Sequence, residues 1–131
     1  MIGQLAPAQI EQLLHEQVIG RIGCHARDRT YVVPITYAYV DQSIVSHTGN
    51  GLKVRMMRED PSVCFQVDHI VDLATWRSVI VWGTFHELHG PEASEGLSRI
   101  MQRLHAWAGR FVSQNPQLVL RTPAARDPRF G

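Results

Sequence analysis

Apolar positions in this chain recur with two periods, and the change between them marks out the elements. From Pro7 to Glu16, Ile10, Leu13 and Leu14 return at helical spacing, and Pro7 suits a first turn, where a missing N–H costs nothing. Val18 to His25 then alternates loosely. Arg27-Asp28-Arg29 is polar enough to turn the chain into Thr30 to Val40, where Tyr31, Val33, Ile35, Tyr37 and Tyr39 share one face at period two. Pro34 cannot donate a ladder hydrogen bond, so it predicts a sheet edge, a bulge or a backbone opened toward something else. Asp41-Gln42 turns into a third strand, Ser43 to Thr48. After the bend Gly49-Asn50-Gly51, Leu52 to Glu59 reads as a short helix stopped by Asp60-Pro61. Ser62 to Asp68 alternates again, with Val63, Phe65 and Val67 opposite Cys64, and Trp76 to Leu88 is a long β-rich run. A helix from Pro91 to about Arg110 carries the stripe Leu97, Ile100, Met101, Leu104, Ala108 and Phe111. Leu118 to Thr122 closes the series as a last strand, and residues 123–131 read as a loose tail. The pattern is mainly β with flanking helices, and five or six antiparallel strands of this kind suggest a small barrel, which removes exposed edges.

Composition narrows the function more than the fold. With 131 residues, 13 basic against 12 acidic side chains and a net charge of +1, the chain reads as one domain spanning 1–131 with no broad basic field. Nucleic acid is therefore not expected as a partner. No apolar run is long enough to cross a bilayer and Met1 to Leu14 lacks a signal-like pattern, so a cytoplasmic protein with no membrane partner is expected. Cys24 and Cys64 stand forty residues apart and suggest two buried, reduced thiols. His86 and His89 fall on different faces of a strand without a third ligand, so no metal site is expected. Twelve of the basic residues are arginine, and the single lysine is Lys53.

That lysine lies in the most informative stretch, Ser46-His47-Thr48-Gly49-Asn50-Gly51-Leu52-Lys53. It combines a hydroxyl, an imidazole, glycines that let backbone N–H groups approach a ligand, and an ammonium near a helix N-terminus, where the dipole favours an anion. A solvated lysine after a glycine turn is the commoner meaning of such residues taken alone. The P-loop spacing is absent, so a nucleoside triphosphate is not implied. Trp76-Arg77-Ser78 could complete an anion site, since a guanidinium grips phosphate bidentately. The alternative is a surface arginine beside two core tryptophans, Trp76 and Trp82.

Taken in order, Val18-Ile19-Gly20-Arg21-Ile22-Gly23, Tyr31 to Tyr37 with Pro34, His47-Thr48, Gly51-Leu52-Lys53, Asp60 to Phe65 and Trp76-Arg77-Ser78-Val79 resemble the pyridoxamine 5′-phosphate oxidase-like FMN-binding split-barrel family, particularly its nitroimidazole-resistance branch. The resemblance implies a six-stranded antiparallel split β-barrel, homodimeric, with FMN in the clefts between subunits. It places the backbone of Ile35, Thr36 and Tyr37 along the flavin ring, His47, Thr48 and Lys53 at the phosphate, and Trp76, Arg77 and Ser78 beside them. The family's closing strand and arginine-containing tail have no clear match in Gln117 to Gly131, and the residues that would grip pyridoxamine 5′-phosphate as substrate are not recognisable.

The function implied is reduction of a small organic or nitro compound by a flavin, with a nicotinamide or another molecule as electron donor. The alternative is a non-catalytic module on the same barrel that holds haem, deazaflavin or FMN as a sensor or carrier. Tyr37 is the one phenol in the segment expected to line the ring and is the candidate catalytic hydroxyl, although its register with Val33 and Ile35 favours the core. The aromatic face of Tyr31, Tyr37 and Tyr39 is the surface expected to pair two subunits.

Overall fold

The computed structural model describes residues 3–49, 51–108 and 118–123. These form helices α1 (Pro7–Glu16), α2 (Leu52–Glu59) and α3 (Gly90–Ala108) and strands β1 (Ile19–Ala26), β2 (Arg29–Thr36), β3 (Ala38–Val40), β4 (Ser43–Thr48), β5 (Ser62–Ile70), β6 (Trp76–Thr84), β7 (His86–Leu88) and β8 (Leu118–Pro123). Two four-stranded antiparallel sheets result, ordered β2-β1-β5-β6 and β3-β4-β8-β7.

Six strand-like runs in the sequence become eight strands because two of them change sheet. The run from Thr30 to Val40 bends at Tyr37, and the run from Trp76 to Leu88 bends at Phe85. Both corner residues are buried aromatics. Each places its N–H outside the ladders, Tyr37 on the Val18 carbonyl at 2.9 Å and Phe85 on the Pro61 carbonyl at 2.8 Å. Alternation alone does not reveal such corners, because the residue on either side keeps its apolar-inward phase.

The hairpins β1–β2 and β3–β4 turn through Arg27-Asp28 and Asp41-Gln42, and all four residues have positive φ. That is the backbone of a two-residue loop whose twist matches the strands it joins. Pro34 lies on β2, the edge of its sheet, opposite Arg21. The strand β8 pairs with both β4 and β7 and so closes the second sheet. Of the tail expected over residues 123–131, Pro123 instead ends β8 in register with Ser43, and residues 124–131, like Phe111 of the helical stripe, lie outside the described residues.

The main core lies between the sheets. Ile22, Cys24, Val63, Phe65, Val67, Val79 and Val81 from the first sheet meet Leu13 and Leu14 of α1 and Val54, Met56 and Met57 of α2. Tyr31, Val33 and Ile35 pack against the same cluster and Tyr37 and Tyr39 are within it. The aromatic face of the second strand is therefore the core face, and the expectation that it pairs two subunits is overturned. A smaller cluster, Val18, Ala38, Val45 and Ile100, seats α3 on the second sheet.

Candidate functional site

The glycine bend delivers α2 with its N-terminus unsatisfied. Gly51 occupies the N-cap position with extended backbone, and among the described residues no side chain caps the helix. Its first N–H groups therefore keep their hydrogen-bonding capacity for a partner outside the helix. A Cβ built on Gly49 or Gly51 meets nothing within 4 Å, so among the described residues packing does not demand glycine there. Lys53 follows at the second position of α2 and is half-buried. It makes no hydrogen bond or ion pair with any described residue. Burial pushes its ammonium below the ordinary lysine pKa, against an opposing effect of Cys24. A partly desolvated cation lacking a carboxylate is an arrangement that an anion relieves.

Lys53 sits beside Cys24, a buried thiol on the core face of β1. Burial raises the Cys24 pKa, Cys64 adds to the rise, and Lys53 opposes it. Cys64 faces the other side of the sheet. Its sulfur rests over Gly23, where a Cβ would come within 2.8 Å of it, and the residue is half-buried rather than buried.

The other expected groups are distributed as follows. His47 and Thr48 end β4, half-buried, just before the glycine bend. Ile35 and Thr36 end β2, and the Thr36 carbonyl accepts the Ser46 hydroxyl at 2.7 Å. Arg77 donates to Glu16 at 3.1 Å and lies 3.4 Å from the His69 ring. The Ser78 hydroxyl accepts from Gln66 at 3.0 Å, and Trp76 is 46% exposed.

Lys53 and Arg77 are not brought together within one chain. Cys24, next to Lys53, is in register with Val63 and through it with Gly83, whereas Arg77 opposes His69. Arg77 lies six residue steps before Gly83 on β6, which is ~20 Å of strand.

Tyr37 does not serve as a site hydroxyl. Its side chain is fully buried, the hydroxyl donates to the Leu14 carbonyl at 2.8 Å, and the ring meets Phe65 edge-on. Burial drives its pKa far above the ordinary tyrosine value. The candidate catalytic role is thereby corrected to a core role, because the proton and the oxygen are both committed inside the protein.

The sequence reading missed the outer face of the first sheet. Across its four strands run Val32, Gly23, Cys64 and Trp82 in one row and Pro34, Arg21, Gln66 and Ile80 in the next. Ile19, Val32, Ile70, Trp76, Ile80 and Trp82 are all exposed there. The two tryptophans are thus not core residues. A period-two reading that labels one face apolar treats the other as solvated, and the apolar residues at even positions of β6 were the available signal.

Two antiparallel sheets that exchange strands at the aromatic corners Tyr37 and Phe85 form a split barrel. Residues 6–125 match the family model described as pyridoxamine 5′-phosphate oxidase, and the chain belongs to that family. It is 33% identical over 90 residues to an uncharacterised protein of Rhizobium meliloti (strain 1021), an alignment covering 69% of this chain and 56% of that protein. The chain therefore matches little more than half the length of that relative. Among solved structures, a FAD-binding protein of Mesorhizobium loti is similar with a TM-score of 0.77 and 26% identity, covering 93% of this chain and 91% of that one. A putative 5-nitroimidazole antibiotic resistance protein of Bacteroides thetaiotaomicron VPI-5482 is similar with a TM-score of 0.73 and 19% identity, over 92% and 81% of the two chains. No helix among the described residues is long and apolar enough to cross a membrane.

Proposed function

We propose that this protein binds FMN in clefts between two copies of the chain and serves as a cytoplasmic oxidoreductase for small organic or nitro compounds, as in the nitroimidazole-resistance branch. The observation that carries the reading is Lys53: half-buried, without an anionic partner among the described residues, and placed at an uncapped helix start. A phosphate monoester matches that donor set, because it presents several anionic oxygens to an ammonium and to backbone N–H groups at once. His47 and Thr48 lie on the strand that leads into this bend and would complete the phosphate contacts. Ile35 and Thr36, on an edge strand, would offer backbone to the ring.

The separation of Lys53 from Arg77 favours a shared cleft. One chain cannot place both on a single phosphate, whereas a second copy can supply Trp76, Arg77 and Ser78 to the site of the first. Glu16 would hold Arg77 in an extended pose until then. The exposed apolar face of the first sheet gives two copies a surface to bury. When bound, the flavin supplies hydride and electron transfer through its own ring, and the protein's part is to bind, orient and admit a second molecule.

The test is titration of the purified protein with FMN, and in parallel with FAD, by quenching of flavin fluorescence, together with the mass in solution by light scattering. Saturable binding of FMN to a species of twice the chain mass is expected. A monomer, or equal indifference to both flavins, overturns the reading.

A further inference from the structure

The strands β5 and β6 run on past the sheet that carries them. β1 is in register with β5 from Val63 to Gln66, and β6 is the edge of the sheet. Asp68 to Ile70, paired with Ser78 to Trp76, and the loop 71–75 between them therefore form a two-stranded arm, with no third strand beside it among the described residues. A ribbon of two strands is marginal in water by itself and gains by packing on a surface. α1 supports the base of the arm, where Arg77 donates to Glu16 at 3.1 Å.

The tip of the arm is apolar and its shape is fixed. One Asp72 carboxylate oxygen accepts from the Ala74 and Thr75 N–H groups at 2.8 Å each, and the Val71 N–H donates to the Thr75 carbonyl at 3.0 Å. An aspartate that bonds the backbone just ahead of it locks a turn in this way. The turn holds Leu73 at the apex, 97% exposed, with Ile70 and Val71 exposed beside it. A leucine presented on a pre-formed turn docks with little ordering cost, and its burial is favourable.

Among the described residues, one exposed large apolar side chain belongs neither to this arm nor to the outer face of the first sheet. It is Leu52, the first residue of α2, 39% exposed and immediately before Lys53. The glycine bend beside it is open, since a Cβ on Gly49 or Gly51 would meet nothing within 4 Å. The arm does not reach Leu52 of its own chain. Arg77 at its base already lies ~20 Å of strand from the register position of Cys24 next to Lys53, and Leu73 lies farther out.

We propose that the arm docks on a second copy of this chain, with Leu73 packed against Leu52 of the partner subunit over the open glycine bend. The inference rests on the shared-cleft reading and names the contact that closes that cleft at its phosphate end. Arg77 is four residues from Leu73, ~13 Å of extended chain, and Lys53 follows Leu52, so the leucine contact brings the two cations of different chains to one end of the cleft. Two-fold symmetry forms the contact twice. A lipid surface would accept Leu73, but it gives no role to Leu52 or to the separation of Arg77 from Lys53.

Sedimentation over a dilution series, without flavin, tests the contact. Leu73→Ser and Leu52→Ser are each expected to raise the dimer dissociation constant at least tenfold, the effect of returning a buried leucine to water, with unchanged circular dichroism. The double variant should lose little more than either single one, because both remove the same contact. A chain carrying Leu52→Cys and Leu73→Cys in a Cys64→Ser background should give, on mild oxidation, a reducible covalent dimer joined between positions 52 and 73, which neither single cysteine variant gives. An unchanged dissociation constant in Leu73→Ser, additive losses in the double variant, or a covalent dimer from Leu73→Cys alone overturns the proposal. Leu73-dependent binding to phosphatidylcholine vesicles with the dimer unaffected also overturns it and assigns the tip to a lipid surface. A dimer joined between positions 52 and 73 that fails to quench FMN overturns the flavin reading and leaves the arm contact standing.

Discussion

The Tyr37 hydroxyl donates to the Leu14 carbonyl across 2.8 Å, so the corner where the chain passes from one sheet to the other is fastened to the last turn of α1. Tyr37→Phe keeps the ring against Phe65 and leaves a buried carbonyl without its donor. A loss of about 1–2 kcal/mol in unfolding free energy is expected, measured by urea denaturation. FMN affinity and any turnover should not change. A variant as stable as the wild type would return the hydroxyl to a role elsewhere.

The same residue sets an alkaline limit on stability. Burial raises the Tyr37 pKa in the folded state above the ordinary value near ~10. Its contribution is therefore complete below about pH 10 and declines as pH rises further, because only the unfolded chain can ionise there. Urea midpoints at increasing pH should fall above about pH 10 in the wild type, and Tyr37→Phe should flatten that slope relative to it. Parallel slopes in the two proteins would contradict the burial argument.

Gly20 shows how far packing was legible in advance. The sequence placed it in a strand and correctly put Phe65 on the core face, but it did not disclose that the two meet. A Cβ on Gly20 would enter the space of the Phe65 ring and come within 2.8 Å of the Gln66 carbonyl. Gly20→Ala should cost about 1–3 kcal/mol by overpacking. Thermal unfolding would register this as a lowered midpoint, and an unchanged midpoint would mean that the Phe65 ring moves aside freely.

The elements were readable because helical and strand periods differ locally. The corners at Tyr37 and Phe85 were not, since a strand that changes sheet keeps its alternation through the bend. The Lys53 neighbourhood was legible as a motif because it is contiguous, from Ser46 to Lys53. Arg77 was legible only as a residue type. Its distance from Lys53 depends on the register of β1, β5 and β6, which local pattern does not specify.

The outer face of the first sheet gives a prediction about assembly. Ile80 is 51% exposed at the middle of β6, in a row with Arg21 and Gln66. Ile80→Lys should lower the mass in light scattering toward that of one chain and weaken FMN binding with it, while the circular dichroism of the barrel stays intact. Tyr31→Ser, on the core side, should reduce stability without this selective loss of association. A dimer that survives Ile80→Lys would place the interface on another surface.

Lys53 carries opposite consequences for stability and for binding. With its pKa held down by burial, the charged form is less favoured in the fold than in the unfolded chain. The fold therefore forfeits some stability at neutral pH, and regains it as pH rises through the lowered folded pKa toward the unfolded value. Lys53→Met retains the packing of the stem and removes the charge. The unliganded protein should become slightly more stable, a small gain because the side chain is only half-buried. FMN affinity should fall ten- to a hundredfold, roughly the loss of one charge-assisted contact. Arg55→Ala, which removes an exposed cation two residues further along α2, should change affinity far less. Thermal shift with and without FMN measures both effects on the same samples. If Lys53→Met and Arg55→Ala weaken FMN equally and slightly, the ammonium at the helix start is not the phosphate anchor.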